Sequence, residues 1–351
     1  MVLVPTGDPR VKTCLAALLA AGAIACGAPT PVAPHAVERS RLAMGSQLRL
    51  LAWTADEASA VAAFAQVFRE FDRLESLLSV WKPGSDVIRI NEAAGRQPVE
   101  VSSDTLAVLE AAAQASEWTG GKFDITFGAL ADIWKFDHDQ DNTVPDRRAI
   151  EARLPFVDYR LVHVDRAART AYISKTGARV HLGGIGKGYA VDRAAAILRE
   201  RGFRDFLIQS GGDLYVAGQN GNVPWKLGIN DPRGPAGQTF ATLELGDGTF
   251  STSGDYERFF IKDGTRFHHL IDPDRGEPAT GTRSVTIVAD RAMLADVLST
   301  GVFIMGPGAG MALIEQLPQV EGVIVTASNQ VLISSGLKGR LAMLALPTNA
   351  P

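Results

Sequence analysis

The run Leu182-Gly183-Gly184-Ile185-Gly186-Lys187-Gly188-Tyr189 constrains this chain more than any other stretch. Four glycines fall within six residues, with a lysine among them. An apolar segment precedes the run and a helical pattern follows it, so it joins a strand to a helix. Glycines at such a junction let backbone N–H groups approach a phosphate, and the helix N-terminus adds positive dipole. Two common phosphate loops are excluded. Lys187 is followed by Gly188 instead of Ser or Thr, and the G-x-G-x-x-G spacing is absent. A phosphate-binding turn and a tight strand–helix connection are the readings that survive.

The 351 residues allow one large domain or two ordinary ones. With 46% hydrophobic and 21% charged residues the chain can bury a sizeable core. Lys and Arg number 35 against 39 Asp and Glu, a net charge of −4. That balance argues against binding nucleic acid through phosphate neutralisation. The two cysteines, Cys14 and Cys26, both lie near the N-terminus, so the body can hold no disulfide framework and no cysteine-based metal site.

The first 25 residues read as a signal peptide. Arg10 and Lys12 precede an apolar run over 13–25, too short for a membrane span, which needs about 20 residues. Small residues before Cys26 resemble a lipobox, with Cys26 as the lipidated residue; cleavage after Ala25 without lipidation is the rival reading. Residues 26–40 then read as a Pro-rich linker, and 41–345 as the folded body. The expected location is the bacterial periplasmic face, on a lipid anchor.

In the body, apolar positions at Phe64, Val67, Phe71, Leu74 and Leu78 predict a helix over 56–79. Ser102 or Ser103 caps a second helix ending near Gly120-Gly121. Residues 167–175 and 178–182 read as a hairpin about Thr176-Gly177. Tyr189–Arg201, Ala292–Phe303 and Ala309–Leu317 read as helices. Strands are expected at 48–53, 206–209, 225–229, 240–245, 259–262, 285–288, 323–326 and 330–334. Strands outnumber any regular β–α alternation, so the fold class expected is α+β, with mixed or antiparallel sheets and packed helices.

Further islands carry chemistry. Ser210-Gly211-Gly212-Asp213 follows an apolar strand, and Ser251-Thr252-Ser253-Gly254-Asp255-Tyr256 offers hydroxyls beside an acid, or a turn. In Phe267-His268-His269-Leu270-Ile271-Asp272-Pro273, adjacent histidines on a strand face opposite sides, which disfavours a metal pair. Asp296 and Thr300 share one face of an apolar helix at i, i+4. A carboxylate and a hydroxyl so placed suit a hard cation such as Mg²⁺, while a solvated Asp is the alternative.

In order and content these islands resemble the FAD:protein FMN transferases, the ApbE family, from about Met44 to Met305. Leu78-Ser79-Val80-Trp81, Ser85-Asp86, Asn91 and Gly121-Lys122-Phe123-Asp124-Ile125-Thr126 belong to the same pattern. Trp81 stands where Tyr is common, and Arg275 interrupts the usual Asp-Pro-x-Thr-Gly. The resemblance implies an ApbE-like, T-fold-like architecture, with two interleaved lobes and an FAD/Mg²⁺ site between them. It implies transfer of the FMN half of FAD onto a Thr or Ser hydroxyl of a target flavoprotein, with AMP released. An FAD pyrophosphatase and a non-catalytic flavin-binding lipoprotein are the alternatives.

By the same resemblance Gly186, Asp296, Ser299 and Thr300 hold Mg²⁺. Met44, Trp81, Lys122, Phe123, Asp124, Gly183, Lys187, Tyr189, Gly212, Asp213 and Ile271 contact FAD. His269 is the leading proton-transfer residue, with Asp255 and Asp272 as other bases and His268 facing away. The partner implied is a subunit of a membrane redox complex with a short Asp/Ser-Gly-Ala-Thr/Ser-Thr/Ser motif.

Overall fold

The 3.6-residue stripe forms the long helix Glu57–Leu78, capped by Asp56, whose carboxylate accepts the Ser59 N–H. Its buried face runs Ala60, Ala63, Phe64, Val67, Phe71, Leu74 and Leu78. The second helix, Ser103–Trp118, takes Ser102 as its cap. This computed structural model describes residues 33–350; the signal peptide and Cys26 expected from the sequence lie outside the described residues. Residues from Ala33 onward form one compact unit, and among the described residues no helix is long and apolar enough to cross a membrane.

The fold is α+β. An eight-stranded sheet runs in the order His35–Ala43, Ser46–Thr54, Phe206–Ser210, Asp213–Ala217, Gly248–Gly254, Thr282–Ala289, Glu321–Thr326 and Val331–Ile333. Every neighbouring pair is antiparallel. The long helix and the helices Gly186–Glu200 and Ala292–Met305 pack on one face and share the main core with it. A smaller sheet of Trp225–Asn230, Thr239–Leu245 and Ala342–Met343 encloses a second core around Trp225, Phe240 and Phe250. A third, smaller cluster gathers Leu130, Trp134, Phe136, Ile150, Phe260 and Ile271.

Three expectations need correction. The first strand begins at His35, inside the stretch read as linker, because Val37 and Ala43 are buried and the strand pairs along its whole length with Ser46–Thr54. The hairpin near 170 is Val162–Asp165 with Thr170–Ile173, turning where Arg169 takes φ +53°, not at Thr176-Gly177. Residues 178–182 form no ladder there; Val180 is held by Asn91, which accepts its N–H at 2.7 Å and donates to its carbonyl at 3.0 Å. The run Ser251–Ser253, read as a possible turn, lies within the strand Gly248–Gly254.

Candidate functional site

The glycine run folds as a turn leading directly into a helix. Leu182 accepts the N–H groups of Ile185 and Gly186, and the helix starts at Gly186. Gly188 permits the closest approach. A Cβ there would sit 2.5 Å from the Ala292 carbonyl oxygen and 2.7 Å from Asp296 Cβ. The helix Ala292–Met305 therefore crosses against the first turn of Gly186–Glu200. Asp192 fixes that crossing: its two carboxylate oxygens accept the Ala292 and Met293 N–H groups at 2.7 and 3.0 Å, capping the second helix from the first.

This contact brings Asp296 to the glycine turn. Asp296 Oδ2 accepts the Gly188 N–H at 2.9 Å. The carboxylate is buried, and its pKa is pushed up to about 7, first by loss of water and then by the nearby Asp213 charge. Lys187 counters both acids. Its Nζ donates to Asp213 Oδ2 at 2.6 Å, and the two carboxylates hold the ammonium pKa above its usual range despite burial.

A chain of hydroxyls continues from this pair. Asp213 Oδ1 accepts from Ser251 Oγ at 2.5 Å, across the strand pair that sets Ser251 opposite Asp213. Ser251 and Ser253, at i, i+2, face the same helix. Ser253 Oγ lies 2.8 Å from Ser299 Oγ and 3.2 Å from Thr300 Oγ1. The serines at 251 and 253 thus support the Asp296–Thr300 face from behind.

A cleft of about 870 Å³ opens over these groups, towards the upper end of the usual range for small-molecule sites, about 300–1,000 Å³. Of the expected contacts, Trp81, Lys122, Phe123, Asp124, Gly183, Lys187, Gly212, Asp213, Ile271, Asp296, Thr300 and His269 all line it. Trp81 stands half-exposed at the rim, edge-on to His138 at 4.4 Å between ring centroids. Lys122 is tied to Asp272 Oδ1 at 2.7 Å and Asp274 Oδ2 at 2.8 Å. His269 Nδ1 faces the Arg258 carbonyl at 3.3 Å. Burial, then Arg258, lowers its pKa to about 3, so the ring is neutral at ordinary pH.

Other expected residues stand elsewhere. Gly186 is the first helical residue and looks toward Met44 and Leu78; Gly184 is the glycine beside Thr300, where a Cβ would lie 3.5 Å from Thr300 Oγ1. Met44 packs behind the turn, while its neighbours Gly45 and Ser46 reach the cleft. Ser299 Oγ donates to its own helix at the Asp296 carbonyl, 2.9 Å away. Tyr189 donates to Asp104 at 2.6 Å, outside the cleft. His268 is buried, with Nε2 at 3.0 Å from the Ala279 carbonyl.

The two alternative bases are both engaged. Asp255 is clamped through both oxygens by Arg233, each at 2.7 Å, and lies outside the cleft. That pairing occupies both of its oxygens and holds them away from the cleft. Asp272 holds Lys122 and the Asp274 N–H. Asp124 lines the cleft, but its carboxylate accepts the Thr126 N–H and hydroxyl and the Tyr159 N–H. Burial pushes its pKa up to about 6, and its hydrogen bonds tie this wall of the cleft to the turn at Tyr159.

Several cleft residues carried no sequence signal: His181, whose Nδ1 accepts the Gly183 N–H at 3.1 Å, Glu257, Arg258 and Asp137. Arg258 donates to Asp137 at 2.6 Å. They reach the cleft through loops, where spacing has no period to read.

The ApbE family model matches residues 44–324. The chain belongs to the ApbE family. It is 32% identical over 339 residues to the FAD:protein FMN transferase of Treponema pallidum, covering 92% of this chain and 93% of that protein. An FAD:protein FMN transferase of Klebsiella pneumoniae is 32% identical, covering 87% and 94%. Among solved structures, the ApbE protein of Thermotoga maritima superposes with a TM-score of 0.80 at 32% identity, over 87% of this chain and 99% of that one. The flavin transferase ApbE of Vibrio cholerae gives 0.78 at 27% identity, over 88% and 99%.

Proposed function

We propose that this chain is an FAD:protein FMN transferase, moving the FMN half of FAD onto a Thr or Ser hydroxyl of a target flavoprotein and releasing AMP. The observation that carries the reading is the meeting of Asp296, Thr300, Gly184 and Lys187 at one end of a cleft that also presents His269. The new bond is a phosphodiester: the acceptor oxygen bonds to the FMN phosphorus, the pyrophosphate P–O bond breaks, and the acceptor proton leaves.

The donor set fits a divalent cation. Asp296 Oδ1 has no hydrogen-bond partner among the described residues, and the Thr300 hydroxyl faces the same end of the cleft. These are hard oxygen donors of the kind Mg²⁺ takes, with phosphate oxygens and water completing its shell. Asp296 and Thr300 would hold it, with a backbone carbonyl of the glycine turn, where Gly184 lies beside Thr300, as a further donor. When bound, the cation would neutralise pyrophosphate charge.

The remaining roles fall to the chain's own groups. The N–H groups at the start of the helix Gly186–Glu200 and the charged Lys187 bind the phosphates. Trp81 offers a flat aromatic face to the flavin at the rim. His269 is neutral, so its ring can accept the hydroxyl proton; a bound pyrophosphate would raise its basicity. Lys122, fixed by Asp272 and Asp274, orders the loop that carries Phe123.

The leader supports export, with Cys26 lipidated and the enzyme facing the periplasm, where it would meet outward-facing domains of a membrane redox complex. A Cys26→Ser variant should move from the membrane to the soluble fraction.

The decisive experiment is mass spectrometry of an acceptor domain bearing the short Thr motif, incubated with the protein, FAD and Mg²⁺. A gain corresponding to one FMN, lost with Asp296→Ala or with chelator, supports the reading. FMN and AMP in solution with an unmodified acceptor would overturn it in favour of hydrolysis.

A further inference from the structure

His181 enters the cleft with its ring fixed from three sides. Its backbone N–H donates to the Ile125 carbonyl at 2.8 Å. Its Nδ1 meets the Gly183 N–H at 3.1 Å. The Phe127 ring packs beside it, 5.3 Å between centroids. Gly183 is required for this placement: a Cβ there would stand 2.8 Å from His181 Cε1 and 3.0 Å from Nδ1. The imidazole therefore lies against the first glycine of the turn, on the cleft wall it shares with Ile125 and Val180.

These contacts decide where the ring proton sits. A backbone N–H only donates, so Nδ1 is the acceptor. Burial holds the His181 pKa below the ordinary histidine value, with Asp137 opposing and Arg258 reinforcing. The ring is neutral and carries its one proton on Nε2. His269 takes the opposite tautomer. Its Nδ1 faces the Arg258 carbonyl, which only accepts, so its Nε2 is bare. Two neutral histidines in one cleft thus present one donor and one acceptor.

The His181 Nε2–H has no protein partner among the described residues and is not sealed from solvent. The ring lines the cleft, so this donor meets what the cleft holds. A ring already fixed loses little freedom when a ligand binds. Accepting the Gly183 N–H at Nδ1 also polarises the imidazole and strengthens Nε2–H as a donor. The turn gives one amide to the ring, and the ring returns one N–H to the cleft.

We propose, on the flavin-transfer reading above, that His181 is a binding residue of the site: Nε2–H donates to an acceptor atom of FAD while Nδ1 holds the glycine turn.

The two nitrogens can be tested apart. In His181→Asn the side-chain oxygen replaces Nδ1 and the Nε2 donor is lost. In His181→Gln the amide N–H replaces Nε2–H and the Nδ1 acceptor is lost. FAD binding to the full chain is followed by flavin fluorescence with chelator present and no acceptor protein. His181→Asn should unfold at the parent's Tm and bind FAD about fivefold more weakly. His181→Gln should unfold at a lower temperature and recover most of the affinity. Equal affinity in the parent and His181→Asn overturns the proposal. Weaker binding in both variants, in step with lower Tm in both, also overturns it and leaves the ring a structural role. A long-range ¹H–¹⁵N spectrum of the free protein should show the His181 proton on Nε2, and a proton on Nδ1 refutes the assignment. Repeating the titrations with AMP and with FMN assigns the acceptor atom to the half whose affinity falls in His181→Asn; a loss with neither counts against the proposal. Absence of FAD binding in the parent itself would sink the flavin-transfer reading, an outcome distinct from equal binding by parent and variant.

Discussion

Lys187 Nζ sits 2.6 Å from Asp213 Oδ2, joining the helix that starts at the glycine turn to a central strand of the main sheet. Asp213 is almost fully buried, and its other oxygen holds Ser251. The pair therefore both presents a cation to the cleft and ties the turn to the sheet. Asp213→Ala leaves the ammonium without its nearest counter-charge. It should cost about 3 kcal/mol, read as a lower urea midpoint at unchanged m-value.

Gly188→Ala is a sharper test of the helix crossing. The added Cβ meets the Ala292 carbonyl oxygen at 2.5 Å, a backbone atom that cannot swing aside. The two helices must part, at a cost of about 1–3 kcal/mol. Because Asp296 takes the Gly188 N–H, the proposed cation site predicts that Mg²⁺ affinity measured by calorimetry falls as well. Wild-type affinity in this variant would show that the crossing does not position Asp296.

Asp255 and His269 should separate cleanly. Asp255→Asn breaks the buried Arg233 clamp and should destabilise by about 3–5 kcal/mol, with turnover per folded molecule within about twofold. His269→Ala should keep its fold and lose about 10²–10⁴ in kcat. The reverse pattern would return Asp255 to the chemistry.

The neutral state of His269 has a pH signature. Its folded pKa, about 3, lies below the 6.5 of an ordinary histidine, so the unfolded chain binds more protons between those values. The contribution to stability is full above 6.5 and is lost as pH falls toward 3. The His269 ring resonance, assigned by comparison with His269→Gln, should show no titration between pH 5 and 8 in free enzyme. A midpoint near 6.5 would refute the burial argument.

Where a residue's role depends on local pattern, the sequence was a sound guide. The stripe at Phe64, Val67 and Phe71, a serine cap at 102 or 103, and the Asp296–Thr300 spacing all depend on neighbours within a turn or two of chain, and the structure has the stripe buried, Ser102 as the cap and Asp296 and Thr300 on one helix. The corrections share the opposite property. Gly184 and Gly186 are alike in the chain, and only the packing of Met44 and Leu78 on one side and Thr300 on the other tells them apart. Asp255 looks like a base until Arg233 arrives from a loop 22 residues earlier.

The sequence by itself determined the α+β class, the main helices, the glycine turn and the set of polar groups from which a phosphate and cation site can be built, because these follow from local propensity and spacing. The tertiary structure alone decided which of those groups face one another. Antiparallel pairing set Ser251 opposite Asp213, helix crossing set Asp296 on Gly188, and burial made His269 neutral. Those outcomes depend on distance through space and on water excluded from the site, neither of which is encoded in any short stretch of chain.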